Sequence, residues 1–213
     1  MPIKIVFLDC DGTLTKERSS WEFLHRRLGL WNNHADMYQR LFREGGIDYH
    51  EFCRRDALLW RGLSVADVMS VVRQIPYQDG AREAIRSIKD MGISTFIVST
   101  GLSALVDMVK SDLFIDGAVS NELLSKDGVL TGEVKINVEY DKKGSLIDAL
   151  LGQKGFARED ACAVGDGEGD IGMFGAVGLP IGFNPHENVL PHIKHACCGQ
   201  SLGGIIDILR RHG

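Results

Sequence analysis

Asp9-Cys10-Asp11-Gly12-Thr13 follows directly on an apolar run, Ile3 to Leu8. Carboxylates two positions apart at the end of a buried strand share a face, because strand side chains alternate. Both can then reach one metal and one substrate. Three further clusters offer matching chemistry. Ser99-Thr100-Gly101 supplies a hydroxyl and, where a helix begins, backbone N–H groups that seat a phosphate. Lys142-Lys143-Gly144 supplies a cation for phosphoryl oxygens. Gly165-Asp166-Gly167-Glu168-Gly169-Asp170 combines turn glycines with carboxylates, the hard oxygen ligands that suit Mg²⁺. Taken singly, each has an ordinary reading: most lysines are solvated, and Asp166 suits a plain turn equally well. Four such clusters at strand ends together point to metal-assisted chemistry on a phosphate.

The elements that must position these residues alternate. Strand patterns fall at Ile3–Leu8, Ser94–Ser99, Ala161–Val164 and Leu179–Gly182, with a short edge run near Ala196–Cys198. Helical patterns fall at Ala81–Met91, Leu102–Ser111, Ser145–Gln153, Asp170–Ala176 and Leu202–Arg211. The alternation predicts an α/β fold, a doubly wound parallel sheet with right-handed crossovers. Its ligands should bind at the C-terminal strand edge, where the motifs lie.

One stretch breaks the pattern. From about Ser19 to Ile75 only helical spacing is found, with Trp21, Leu24, His25 and Leu28 at i, i+3, i+4 and i+7. Ser64 and Asp67 resemble a capping box, and Pro76 marks the return to the core. The expected organisation is a core of residues 1–14 and 76–213 with a helical cap, residues 15–75, inserted after the first strand. Partial alternation across Leu123–Glu139 around Asp127-Gly128 predicts a β-hairpin flap.

Bulk properties exclude several classes. With 213 residues, 44% hydrophobic and 25% charged, the chain matches an ordinary globular protein with room for a full core. A net charge of −5 gives no electrostatic footprint for nucleic acid or an anionic membrane. No run approaches the roughly 20 apolar residues of a membrane span, and no signal peptide pattern is present. Five cysteines without zinc spacing or a C-x-x-C pair suggest reduced thiols and a cytoplasmic location.

The order D-x-D-G-T, S-T-G, K-G and G-D-G-x-x-D resembles the haloacid dehalogenase-like superfamily of phosphotransferases. The helical insert and the run from Val164-Gly165-Asp166-Gly167 through Asp170-Ile171 and Met173-Phe174 to Gly178-Leu179 are similar to its phosphoserine phosphatase subgroup. The resemblance implies a Rossmann-like core and a Mg²⁺-dependent phosphomonoesterase acting on a small phosphorylated metabolite. Asp9 would be the nucleophile that becomes an aspartyl phosphate. Asp11 would be general acid and then base, and its backbone carbonyl would ligate Mg²⁺ beside Asp9 and Asp166. Ser99, Thr100 and Gly101 would bind the phosphoryl group, Lys143 would neutralise its charge, and Asp170 would hold the metal shell or the lysine.

The chain departs from the subgroup at three positions. Gly169 replaces an Asn. Arg18 stands where a flap Glu reads the substrate, beside Glu17. Asp56 matches the cap Arg, beside Arg54 and Arg55. Glu17, Arg18, Arg54 and Arg55 are therefore the candidates for reading the substrate. Cys10, between the two aspartates, should point into the core. Trp21, Trp31, Tyr49, Phe52 and Trp60 read as cap core, and His25 as a packed helix residue. Two alternatives stand beside the phosphatase: a phosphomutase or phosphotransferase on the same core, and a non-catalytic phosphate-sensing module.

Overall fold

The computed structural model describes residues 2–31 and 34–212. Among these, seven strands form one sheet: β1 (Ile5–Leu8), β2 (Ser94–Leu102), β3 (Gly117–Lys126), β4 (Val129–Lys135), β5 (Ala161–Gly165), β6 (Leu179–Phe183) and β7 (His195–Cys197). Their order is β4-β3-β2-β1-β5-β6-β7. All neighbours are parallel except β3 and β4, which form the antiparallel hairpin expected around Asp127-Gly128. Both turn residues have positive φ, +51° at Asp127 and +78° at Gly128, as a tight two-residue hairpin turn requires.

The central strand β1 shows why the fold is doubly wound. Val6, Leu8 and Cys10 face one core together with α5 (Ala81–Asp90), α6 (Ser103–Leu113) and α9 (Gly204–His212). Ile5 and Phe7 face the other, with α7 (Lys143–Lys154) and α8 (Ile171–Gly175). Fully buried on both faces, such a strand reads as a continuous apolar run. Cys10 is buried on the core side, as strand alternation predicts.

Among the described residues, four helices lie between β1 and α5: α1 (Ser20–Arg27), α2 (Ala35–Arg43), α3 (Tyr49–Leu58) and α4 (Val65–Val72). Ser19 and Asp48 cap α1 and α3 by accepting the N–H groups of Glu22 and Glu51. Ser64 caps α4 through the Ala66 N–H, and among the described residues Asp67 makes no return bond, so the expected box is half formed. The interior of this segment is aromatic. Trp21 stacks on Trp60 at 5.3 Å, and the His25 ring lies 4.4 Å from Trp60. The β3–β4 hairpin packs against it, with Gly62 N–H donating to the Leu130 carbonyl and Leu130 N–H to that of Leu63.

Two elements differ from the sequence expectation. The sheet continues past β2 into Gly117–Asn121, whose single strongly apolar residue, Val119, carries no strand pattern. Ser99-Thr100-Gly101 lies inside β2 rather than at a helix start, since α6 begins only at Ser103. The β2–β3 register shifts between Val98 and Leu102, so the motif occupies an irregular strand end.

Candidate active site

The loop after β1, the end of β2, the start of α7 and the loop after β5 converge at one sheet edge. Lys143, the first residue of α7, is buried, and its ammonium lies 2.6 Å from Asp9 Oδ1 and 2.7 Å from Asp170 Oδ1. Lys142 points away and pairs with Glu139 at 2.7 Å. Of the two adjacent lysines, Lys143 alone enters the site.

Asp9, Asp166 and Asp170 each offer a carboxylate oxygen within 4.8 Å of the others, and all three are buried. Asp170 accepts the N–H groups of Asp166 and Gly167 through Oδ2 while Oδ1 holds Lys143, which fixes its orientation. Gly12 adopts φ +79° at the turn, and a Cβ there would meet the Asp166 carboxylate at 2.5 Å. Only glycine allows that approach.

The Asp11 carboxylate does not join this trio. Its Oδ2 accepts from Ser20 Oγ at 3.0 Å, at the start of α1. Ser99 Oγ accepts the Gly101 N–H at 2.9 Å, which leaves the hydroxyl hydrogen free to donate to a ligand. The Gly101 N–H is thereby already engaged. The Thr100 carbonyl is a hub instead, taking bonds from Trp21 Nε1, Tyr49 Oη and Asn121 Nδ2.

Crowding of acids in a buried site sets the electrostatics. Burial, reinforced by the charges of Asp170 and Asp166 and opposed by Lys143, pushes Asp9 up to about 8. Burial also raises Asp11 and Asp166 to about 7, with Asp9 and Asp170 respectively as the main like-charge neighbours. Burial pulls Lys143 down, but the charges of Asp170 and Asp9 outweigh it and hold the amine above its ordinary range. Oxygen donors that cannot all ionise beside one lysine suit a divalent hard cation.

The substrate-reading candidates separate. Arg18 reaches the site, 2.9 Å from Asp166 Oδ2, with a second bond to the Asn184 carbonyl. Glu17 is half-buried, and its backbone carbonyl accepts the Gly12 N–H. Arg54 and Arg55 both pair with Glu51 on α3, the first largely exposed. Asp56 is buried beside His25, 3.4 Å from its Nε2.

Sequence reasoning did not find Ser20, Asn121 or Thr13, whose hydroxyl lies 3.4 Å from Asp166 Oδ1. Thr13 was inside a recognised motif and could have been inferred. Ser20 carries no spacing signal, because the adjacent Ser19 accounts for the helix cap. Tyr140 was also missed. Its ring stands against Gly169, where a Cβ would approach it to 3.2 Å, and it packs edge-on to Phe42 of α2.

Comparison with known proteins places this geometry. Residues 6–175 match the model of the haloacid dehalogenase-like hydrolases. A phosphoserine phosphatase of Methanocaldococcus jannaschii is 32% identical over 181 residues, covering 84% of this chain and 85% of that protein. One from Archaeoglobus fulgidus is 29% identical over 208 residues, and there this chain, covered to 97%, spans 60% of the relative's length. A solved phosphoserine phosphatase, held as a phospho-aspartyl intermediate analogue, superposes with a TM-score of 0.85 at 27% identity, covering 98% of this chain and 99% of that one. Motif order, sheet and similarity agree: the chain belongs to the haloacid dehalogenase-like hydrolase family.

Proposed function

We propose that this protein is a Mg²⁺-dependent phosphomonoesterase, a phosphoserine phosphatase, working through an aspartyl phosphate on Asp9. The Asp9–Lys143–Asp170 constellation carries the reading. A carboxylate can attack an anionic phosphate only where positive charge is held beside both, and Lys143 is held there by Asp170. The names of the relatives supply the substrate.

Asp9 attacks phosphorus, and the bond from phosphorus to the leaving oxygen breaks. Asp11 gives that oxygen a proton and then takes one from the water that releases phosphate. Ser99 donates its free hydroxyl hydrogen to a phosphoryl oxygen, with Thr100 and Gly101 shaping the strand end around it. The carboxylates of Asp9 and Asp166 with the Asp11 backbone carbonyl would hold Mg²⁺, and Asp170 keeps Lys143 in place. When bound, the cation offsets charge between nucleophile and phosphate.

Residues 15–75 act in this reading as a cap over the core formed by 1–14 and 76–213. Ser20, Trp21 and Tyr49 support it, since they bond to Asp11 and Thr100 from the inserted helices. Arg18 is the substrate-reading candidate that lies closest to this chemistry. Five unpaired cysteines and the lack of any described helix long and apolar enough to cross a membrane support a cytoplasmic enzyme.

Phosphate release from O-phosphoserine and 4-nitrophenyl phosphate, with and without Mg²⁺, tests the proposal. The expected outcome is Mg²⁺-dependent turnover of both, abolished by Asp9→Asn. Activity that survives Asp9→Asn would overturn the mechanism, and failure on phosphoserine alone would overturn the substrate.

A further inference from the structure

We propose that Ser20 is a positioning residue that decides which oxygen of Asp11 carries the catalytic proton. The inference rests on the phosphatase reading of Asp11 and adds a residue from the inserted helices to it. Ser20 is fully buried, and its Oγ has two partners. It accepts the Leu102 N–H at 3.2 Å and lies 3.0 Å from Asp11 Oδ2. A backbone amide can only donate, so the Leu102 N–H takes one of the two Ser20 lone pairs, and among the described residues Asp11 Oδ2 is the one acceptor in reach of the buried hydroxyl hydrogen, which turns to it. Oδ2 is therefore an acceptor in this arrangement. Asp11 Oδ1 is buried with no hydrogen-bond partner among the described residues. It is the oxygen left to carry the proton.

Gly101 supplies an independent observation. A Cβ at that position would collide with Asp11 Oδ2 and would stand 2.9 Å from Ser20 Oγ. The strand end is thus built around the Asp11–Ser20 contact. Ser20 is also anchored on both sides. Ser19 caps the helix that carries it, and Trp21 Nε1 donates to the Thr100 carbonyl at 3.1 Å. Seating of the inserted helices on the core and orientation of the acid are therefore one event.

In the first chemical step the phosphorus–oxygen bond of the ester breaks as the bond to Asp9 forms. The proton on Asp11 Oδ1 passes to the departing oxygen, leaving Asp11 ionised. Ser20 keeps its hydrogen throughout and gains a stronger acceptor at Oδ2 as Asp11 becomes charged. Its contribution grows with the need for the proton, which is large for an alkoxide and small for a nitrophenolate.

The experiment compares Ser20→Ala with the parent on O-phosphoserine and 4-nitrophenyl phosphate. The readout is the ratio of the two kcat/KM values, which covers steps up to phosphoryl transfer and cancels any loss of folded enzyme. We expect Ser20→Ala to shift the ratio against the alkyl ester by roughly tenfold, a fraction of what a general acid contributes. Ser20→Thr, which keeps the hydroxyl, should return the ratio to within about threefold of the parent. Equal losses on both esters, or an unchanged ratio, would overturn the proposal, as would a Thr variant no better than Ala. A parent that turns over neither ester would instead remove the phosphatase reading and this inference with it.

Discussion

Asp9 and Asp170, 161 positions apart in sequence, share one ammonium: the Lys143 Nζ lies 2.6 Å from an oxygen of the first and 2.7 Å from one of the second. Both carboxylates therefore have the same buried ammonium as their counter-charge. Asp170 takes two backbone N–H groups with its other oxygen, which fixes its orientation independently of Asp9.

Lys143→Met should therefore lower kcat/KM by at least about 100-fold, the effect of removing a preorganised donor from developing negative charge. Lys143→Arg should not rescue it. A planar guanidinium is larger than the buried ammonium and cannot place one nitrogen between two carboxylates in the same way. Steady-state kinetics on one ester decide the matter. A Met variant within tenfold of the parent would remove Lys143 from the chemistry.

The metal-free protein should lose stability as pH rises. The folded values of Asp9, near 8, and of Asp11 and Asp166, near 7, lie above their ordinary value of 3.8. A raised folded pKa means the folded state binds more protons, so stability is full below the unfolded value and is lost as pH climbs through the folded one. Thermal unfolding in chelator should show Tm falling from pH 5 to pH 8 and levelling above. Mg²⁺ at 100 times its Kd should add about 2.7 kcal/mol, or about 5–10 °C for a chain of this size. A chelated Tm that rises between pH 6 and pH 8 would contradict this electrostatic account.

What the sequence revealed and what it hid follow from how each residue acts. Asp9 and Asp166 directly follow the buried apolar strands β1 and β5, Lys143 opens α7 and Ser99 lies near the end of β2, so all four sit beside elements that the sequence marks and were legible. Ser20 and Asn121 were not, since their roles come from long-range contacts that leave no local spacing. The parallel part of β3 was hidden for a related reason: β2 covers one side of Gly117–Asn121, and pairing substitutes for apolar content. Asp56 was visible as a departure from the family pattern, but its burial against His25 was not.

Arg18 and Arg54 should behave oppositely. The Arg18 guanidinium lies 2.9 Å from Asp166 Oδ2, so it competes with a divalent cation for the charge of that carboxylate. Arg18→Ala should tighten Mg²⁺ binding several-fold in a calorimetric titration. Arg54 is committed to Glu51 on an exposed helix face, where ion pairs contribute little. Arg54→Ala should change kcat/KM for phosphoserine less than twofold. Weaker Mg²⁺ binding in the first variant, or a tenfold kinetic loss in the second, would reverse their assignments.

The buried His25–Asp56 pair should govern the stability of the inserted helices. The carboxylate and ring nitrogen are 3.4 Å apart, and Asp56 Oδ1 and Trp60 Nε1 have no hydrogen-bond partner among the described residues. Burial raises Asp56, and His25 is the group that opposes the rise. In His25→Leu the carboxylate loses that opposition, so its folded pKa climbs further and it must fold protonated. Stability should be lost as pH rises from about 5 to 8, reaching the roughly 3–5 kcal/mol of a broken buried pair. Changing both partners, His25→Leu with Asp56→Val, removes the charge and should recover most of that loss. Urea unfolding at pH 5 and pH 8 separates the cases: a single variant with a pH-independent loss, or a double variant no more stable than the single, would show that the Asp56 carboxylate does not govern this stability.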